Sequence, residues 1–156
     1  MVPLLASPQV AEMLAAGLLT KTNPLDVLQI PASVGQLASR FIESRRANKD
    51  MLRHGYILGD TDDYWHRLAI AEQAQKSPML GSVALFIGHL NEAKDLIRDM
   101  GNGMSLKDAG ERGRKDLQRN ENGFNIGSSY IGDLLRALEP YKNKSLKDWE
   151  QKYKKQ

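Results

Sequence analysis

The sequence contains no cysteine, which excludes disulfide bonds, thiol nucleophiles and zinc sites with thiolate ligands. It also lacks an apolar run long enough to cross a bilayer. The first residues, Met1 to Leu19, lack the basic start and the unbroken apolar centre of a signal peptide. We therefore expect neither a signal peptide nor a transmembrane helix, and a protein that is cytoplasmic or carried in a phage particle or as the cargo of a secretion machine.

Strand patterns are missing as well, because no stretch alternates apolar and polar residues and no internal repeat is visible. What the chain has is helical periodicity in a composition typical of globular domains, with 41% hydrophobic and 26% charged residues. A length of 156 residues suffices for one core. The sequence predicts an all-α fold, a single compact domain of about six or seven helices.

Three segments are predicted along the chain. Residues 1–30 form an apolar N-terminal helix and a linker, residues 31–140 form a helical core domain that Pro31 opens, and residues 141–156 form a lysine-rich C-terminal helix. Within the core, Ser105 caps a helix that we expect to end at about Asn120. Another core helix is predicted from Leu80 to Asp99, and its inward side comprises Val83, Phe86, Ile87, Leu90, Ala93 and Ile97.

Both ends of the chain are candidate contact surfaces. Leu4, Leu5, Val10 and Leu14 could bind a protein partner. The net charge is only +3, but residues 142–156 contain six lysines. They could make weak contacts with DNA or with an anionic membrane. The alternative for this end is a solvated terminal helix that lysine keeps soluble.

The first polar cluster of the core runs from Asp62 to Arg67. Asp62 and His66 are four residues apart, so on a helix they share one face and the carboxylate can orient the imidazole for general-base or ligand work. The alternative is that Asp62 or Asp63 caps the helix and that His66 is a partly buried histidine.

The second cluster places His89 and Glu92 three residues apart, also on one helix face. Together with His66 they could supply two nitrogens and one carboxylate to a divalent metal. No compact zinc motif such as H-E-x-x-H is present. The alternative is a polar face that contacts solvent and continues through Arg98.

The third cluster extends from Asp116 to Gly123. Asp116 and Asn120 lie one helical turn apart on one face, where they could hold a ligand or form a hydrogen bond with His66. Asn122-Gly123 is a natural end for a helix. The sequence thus predicts a site residue pair followed by a helix stop.

The order of these clusters resembles a family of small helical domains. The matching motifs are D-x-x-x-H at Asp62 to His66, Gly88 with Glu92, and D-L-x-x-N-x-x-G-x-x-I-G at Asp116 to Gly127. The family comprises uncharacterised domains of cell-wall-associated, Rhs-type and polymorphic-toxin proteins and of phage. Its members have a His-Glu pair where this chain has Asn91 before Glu92, and often an Asn where this chain has Arg119. The resemblance covers residues 60–128 and implies a location and a context for the site.

The first functional hypothesis is a hydrolase that acts on the bacterial cell envelope. In this hypothesis His66 is the base or a ligand, Asp62 orients it, Glu92 is a second acid/base or ligand, and Asp116 with Asn120 positions water or substrate. An imidazole and two carboxylates in one cleft suffice for such chemistry with or without a divalent metal.

Two alternatives belong to other classes. The polar clusters could form a buried hydrogen-bond network in a non-catalytic phage virion or ejection and assembly protein. The third hypothesis is a nuclease, for which Arg112, Arg114, Lys115 and Arg119 are the local cationic candidates. The surroundings of His66 distinguish these hypotheses, because an open cleft favours an enzyme and a closed, fully paired core favours a scaffold.

Overall fold

The computed structural model describes residues 24–56 and 61–153. The apolar surface predicted at Leu4 to Leu14 and the last two lysines lie outside these residues. These residues form six α-helices, α1 (Pro24–Arg53), α2 (Asp62–Lys76), α3 (Pro78–Gly101), α4 (Leu106–Ser129), α5 (Leu134–Ala137) and α6 (Lys144–Tyr153), with a 3-10 turn at Glu139–Tyr141. No strand occurs in the described part, and the helices pack into one compact domain. The predicted all-α fold is confirmed.

Helix α2 lies at the centre of the domain because it contributes to both apolar clusters. One cluster joins it to the end of α1 and to the C-terminal helices through the buried residues Met51, Trp65, Leu68, Leu134, Leu138 and Leu146. The other joins it to α1 and α3 through Leu37, Ala69, Ile70, Ala84 and Leu85. A helix that is apolar on most sides is buried on most sides. Side chains on α2 are therefore held from several directions.

Helix α4 touches α2 almost backbone to backbone at two glycines. A Cβ atom at Gly123 would lie 2.6 Å from the carbonyl oxygen of Arg67, and one at Gly127 would overlap the carbonyl oxygen of Ala71. The predicted helix end at Asn120 is wrong, because α4 continues through both glycines to Ser129. Close packing against α2 outweighs the cost of about 1 kcal/mol that glycine imposes on a helix.

Helix α3 is rotated relative to the prediction. Three members of the predicted inward side are exposed, Phe86 at 41%, Leu90 at 43% and Ile97 at 72% of their surface. The buried side instead includes Gly81, Ala84, Leu85, Gly88, His89 and Glu92. The reason is close approach: a Cβ atom at Gly81 would lie 2.6 Å from the Cα atom of Ala74. The solvent-exposed polar face considered for His89 and Glu92 is wrong as well.

Helix α1 begins before the predicted boundary. The chain is already helical at Pro24, the first residue described, and Pro31 lies inside the helix, so the predicted linker up to residue 30 is wrong. The exposed ring of Pro31 leaves the packing of α1 on α2 undisturbed. Farther along, the guanidinium of Arg40 donates to both carboxylate oxygens of Glu72 at 2.8 and 2.5 Å. This contact raises the pKa of Arg40 and fixes α1 against α2.

Within the described residues, no helix has both the length and the hydrophobicity that crossing a bilayer requires.

Candidate active site

A cleft of about 240 Å³ lies between α1, α3 and α4 and reaches His66 of α2. Its acidic lining residues are Glu92, Asp95, Asp99 and Asp116, and its basic ones are Arg45, Arg98 and Arg112. The polar clusters of the sequence therefore border a cavity that a small ligand can enter. A substrate site has this character, a concave space with a few convergent polar groups.

Three side chains converge in this cleft from three helices. One ring nitrogen of His66 and one carboxylate oxygen each of Glu92 and Asp116 lie within 4.8 Å of one another. The side chains keep 13%, 6% and 9% of their surface exposed, respectively. The structure thus joins one residue from each of the three sequence clusters in a largely desolvated group.

Asn120 orients His66. This amide is completely buried, and its Oδ1 atom lies 3.0 Å from the Nδ1 atom of His66. Because an amide carbonyl only accepts hydrogen bonds, the imidazole proton sits on Nδ1 and a lone pair remains on Nε2. The hydrogen bond between Asn120 and His66 that the sequence indicated is therefore present. The contact predicted for Asp62 stays a prediction, because the side chain of Asp62 lies outside the described part of the structure.

Two apolar or small neighbours complete the surroundings of this pair. The ring of Phe41 packs edge-on against His66, with 6.1 Å between the ring centroids. Gly88 leaves room for the amide, since a Cβ atom there would lie 2.9 Å from the Nδ2 atom of Asn120. Gly88 of the second cluster thus leaves space for Asn120 of the third cluster.

Asp116 is held by an ion-pair network that sequence reasoning missed. Arg119 donates to the Oδ1 atoms of Asp116 at 2.5 Å and of Asp63 at 3.0 Å. Arg67 also pairs with Asp63 and donates from Nε to Asn122 Oδ1 at 2.7 Å. Opposite charges at positions 63 and 67, four residues apart, are the signal that could have indicated this pair.

His89 does not join the group of His66, Glu92 and Asp116. Its side chain is buried, and neither ring nitrogen has a hydrogen-bond partner in the part of the chain described. Burial lowers the pKa of His89 and keeps the ring neutral. The sequence predicted His89 as the third metal ligand beside His66 and Glu92. In the structure, Asp116 lies beside these two residues instead.

The cations near the last motif are divided between the cleft and the solvent. Arg112 lines the cleft and contacts Asp99 at 3.2 Å. Arg114 and Lys115 are exposed and are not among the residues that line it. The cleft wall on the other side carries Arg45, which is also exposed. A ligand in the cleft would therefore meet cationic groups on two sides.

Comparison of the chain with models of protein families, with curated proteins and with solved structures gives no match. The resemblance to the wall-associated, Rhs-type and toxin domains stays a prediction.

Proposed function

We propose that the protein is a hydrolase and that the cleft is its active site. The observation that carries the proposal is the convergence of an imidazole and two carboxylates, from His66, Glu92 and Asp116, within 4.8 Å. General acid/base hydrolysis needs one group that takes a proton from water and another that returns a proton to the leaving group. These residues supply both kinds of group in a place that excludes most of the solvent.

The proposed roles follow from the contacts. His66 carries its proton on Nδ1, toward Asn120, so Nε2 is the atom that would accept a proton from the attacking water. Glu92 would return a proton to the leaving group. Asp116, which Arg119 holds at 2.5 Å, would orient the water or the substrate.

The proposed substrate is an anionic polymer of the bacterial cell envelope. Arg45, Arg98 and Arg112 line the cleft and can bind carboxylate or phosphate groups of a substrate. Arg98 and Arg112 also pair with the lining residues Asp95 and Asp99, so a substrate anion would compete with these carboxylates. The resemblance in motif order to wall-associated and toxin domains favours the envelope as its source.

The test is release of soluble fragments from purified bacterial sacculi with their attached anionic polymers. We expect His66→Ala, Glu92→Gln and Asp116→Asn to lower the initial rate by roughly 100-fold or more. The matched control is Glu111→Gln, an exposed carboxylate on α4 that does not line the cleft and should keep most of the rate. Equal loss in all four variants, or no release by the unaltered protein, would refute the proposal.

A nuclease is the second candidate, and the same arginines favour it because they would bind the phosphates of a nucleic acid. Lys142 and Lys147 contribute less to such binding than the sequence indicated, since both pair with Glu139 and Lys142 also contacts Glu150 at 2.8 Å. Cleavage of single-stranded RNA or of DNA by the unaltered protein, lost in His66→Ala, would favour this function over envelope hydrolysis.

A non-catalytic assembly role is another proposal. Its support is the exposed apolar side of α3, which carries Phe86, Leu90 and Ile97. Exposed apolar patches often mark contacts between proteins.

A further inference from the structure

The geometry points to a divalent metal ion of the zinc class bound in the cleft by His66, Glu92 and Asp116. This inference concerns binding and holds whether or not the protein is a hydrolase. In a hydrolase, an ion on Nε2 of His66 would replace this atom as the group that activates water.

The distances are close to those that one ion requires. Zinc lies about 2.0–2.2 Å from imidazole nitrogen and carboxylate oxygen, so two ligand atoms at a tetrahedral angle are about 3.4 Å apart. In the structure, one ligand atom of each of the three side chains lies within 4.8 Å of those of the other two. The ring nitrogen available to an ion is Nε2, because Nδ1 of His66 donates to Asn120. Side-chain rotations of about 1 Å can close the remaining gap, with no movement of a helix.

The donor types select the class of ion. Magnesium and calcium prefer shells composed of oxygen alone, whereas an imidazole combined with carboxylates suits zinc and related transition ions. Three protein ligands leave at least one coordination position, and the cleft gives water or substrate access to it. This ligand number is typical of catalytic rather than structural zinc sites.

A second observation is independent of the ligand distances. Asn120 is completely buried, and its Nδ2 atom has no hydrogen-bond partner among residues 24–56 and 61–153. Burying an amide with an unpaired N–H group costs stability. The Oδ1 atom of the same amide accepts a hydrogen bond from His66. Metal-bound histidines commonly donate their other N–H to such an acceptor. We assign Asn120 the same positioning role here.

Asp116, another of the proposed ligands, is also held in position. Arg119 holds Asp116 and is itself held by Asp63. Two of the three proposed ligands are therefore oriented before an ion arrives, which lowers the entropy that binding has to overcome.

The experiment is calorimetric titration of the whole chain, stripped with a chelator, with Zn²⁺, Mn²⁺ and Mg²⁺. We expect one saturable site per chain for Zn²⁺, weaker binding of Mn²⁺ and none of Mg²⁺. A Zn²⁺ concentration of roughly 100 times Kd should raise Tm by about 5–10 °C. His66→Ala, Glu92→Gln and Asp116→Asn should each weaken binding by roughly 100-fold, and Asn120→Ala by about 10- to 100-fold.

Two control variants separate this site from adventitious binding. Asp95→Asn removes a carboxylate of the same cleft, and His54→Ala removes an exposed histidine in the turn that follows α1. Both should keep Kd within about twofold of the unaltered protein. Circular dichroism checks that every variant is folded. Absence of saturable binding, or a loss in His54→Ala equal to that in His66→Ala, would overturn the inference.

The outcome is distinguishable from that of the hydrolase test. Zinc binding without release of sacculus fragments would leave the metal site intact and refute the hydrolase. Chelator-resistant hydrolysis by a protein that binds no ion would refute the metal site and leave acid/base catalysis by the same residues.

Discussion

Substitution of Gly127 by alanine tests whether the contact between α2 and α4 is as close as the structure indicates. A Cβ atom at this position would overlap the backbone of Ala71, including its carbonyl oxygen. The obstacle is backbone, so no side chain can rotate away to relieve it. Gly110 is the matched position on the same helix, because a Cβ atom there meets nothing within 4 Å.

The two substitutions differ only in the tertiary contact. Alanine favours a helix over glycine by about 1 kcal/mol at either site. At Gly127 the overlap forces α2 and α4 apart, and overpacking of this kind costs about 3 kcal/mol at the upper end of its usual range. The expected net loss in the free energy of unfolding is about 2 kcal/mol, and Gly110→Ala should gain up to about 1 kcal/mol.

Urea denaturation followed by circular dichroism measures both values. The corresponding shifts in Tm for a domain of this size are a fall of about 4–8 °C for Gly127→Ala and a rise of about 2–4 °C for Gly110→Ala. The reasoning is refuted if the two variants are stabilised equally, because α4 would then have room for a Cβ atom against α2.

Three further contrasts test other parts of the structure. Leu85→Ala should lower the free energy of unfolding by about 2–5 kcal/mol and Phe86→Ala by less than about 1 kcal/mol, because Leu85 is buried and Phe86 is exposed. The reverse order in urea denaturation would show that α3 has the rotation predicted from the sequence. Arg40→Ala should cost about 1–3 kcal/mol through loss of its bidentate contact with α2, whereas Arg53→Ala, in an exposed pair, should change stability little; equal effects would contradict the anchoring of α1. Burial lowers the pKa of His89. Below pH 6.5 the unfolded chain therefore binds a proton at this residue that the folded chain does not bind, and the free energy of unfolding should fall as pH decreases from about 6.5. His89→Leu should reduce this slope in pH-dependent melting, and an unchanged slope would place its origin elsewhere.

Local patterns predicted those parts of the fold that local interactions determine. The proposed cap at Ser105 is present, since its hydroxyl oxygen accepts from the backbone N–H of Asp108 at 3.1 Å. The rotation of α3 could not be obtained in this way. Phe86, Leu90 and Ile97 are more apolar than the opposite side, but glycine and alanine on that opposite side permit an approach that larger residues prevent. A hydrophobicity pattern shows which side of a helix is more apolar. It does not show how closely that side can approach another helix.

The sequence indicated most members of the candidate site, although His89 lies outside it, and offered both Asp62 and Asn120 as partners of His66. Spacing on helices indicated His66, Glu92, Asp116 and Asn120, because each lies three or four residues from another polar residue on the same helix face. It favoured Asp62 as the partner of His66, since both lie on one helix. The observed partner, Asn120, is 54 residues away, and only the packing of α4 on α2 brings the two together.

That packing explains the spacing of the last motif. Asp116, Asn120, Gly123 and Gly127 follow one another at steps of four, three and four residues, so they form one stripe along α4, and all four are buried. The glycine half of the stripe sets how closely α4 approaches α2. The polar half then reaches His66 and completes the group with Glu92. A methyl group at Gly123 or Gly127 should therefore impair the site as well as the fold, although neither glycine contributes a functional group, and the motif is better understood as one structural unit than as a set of catalytic residues followed by a helix end.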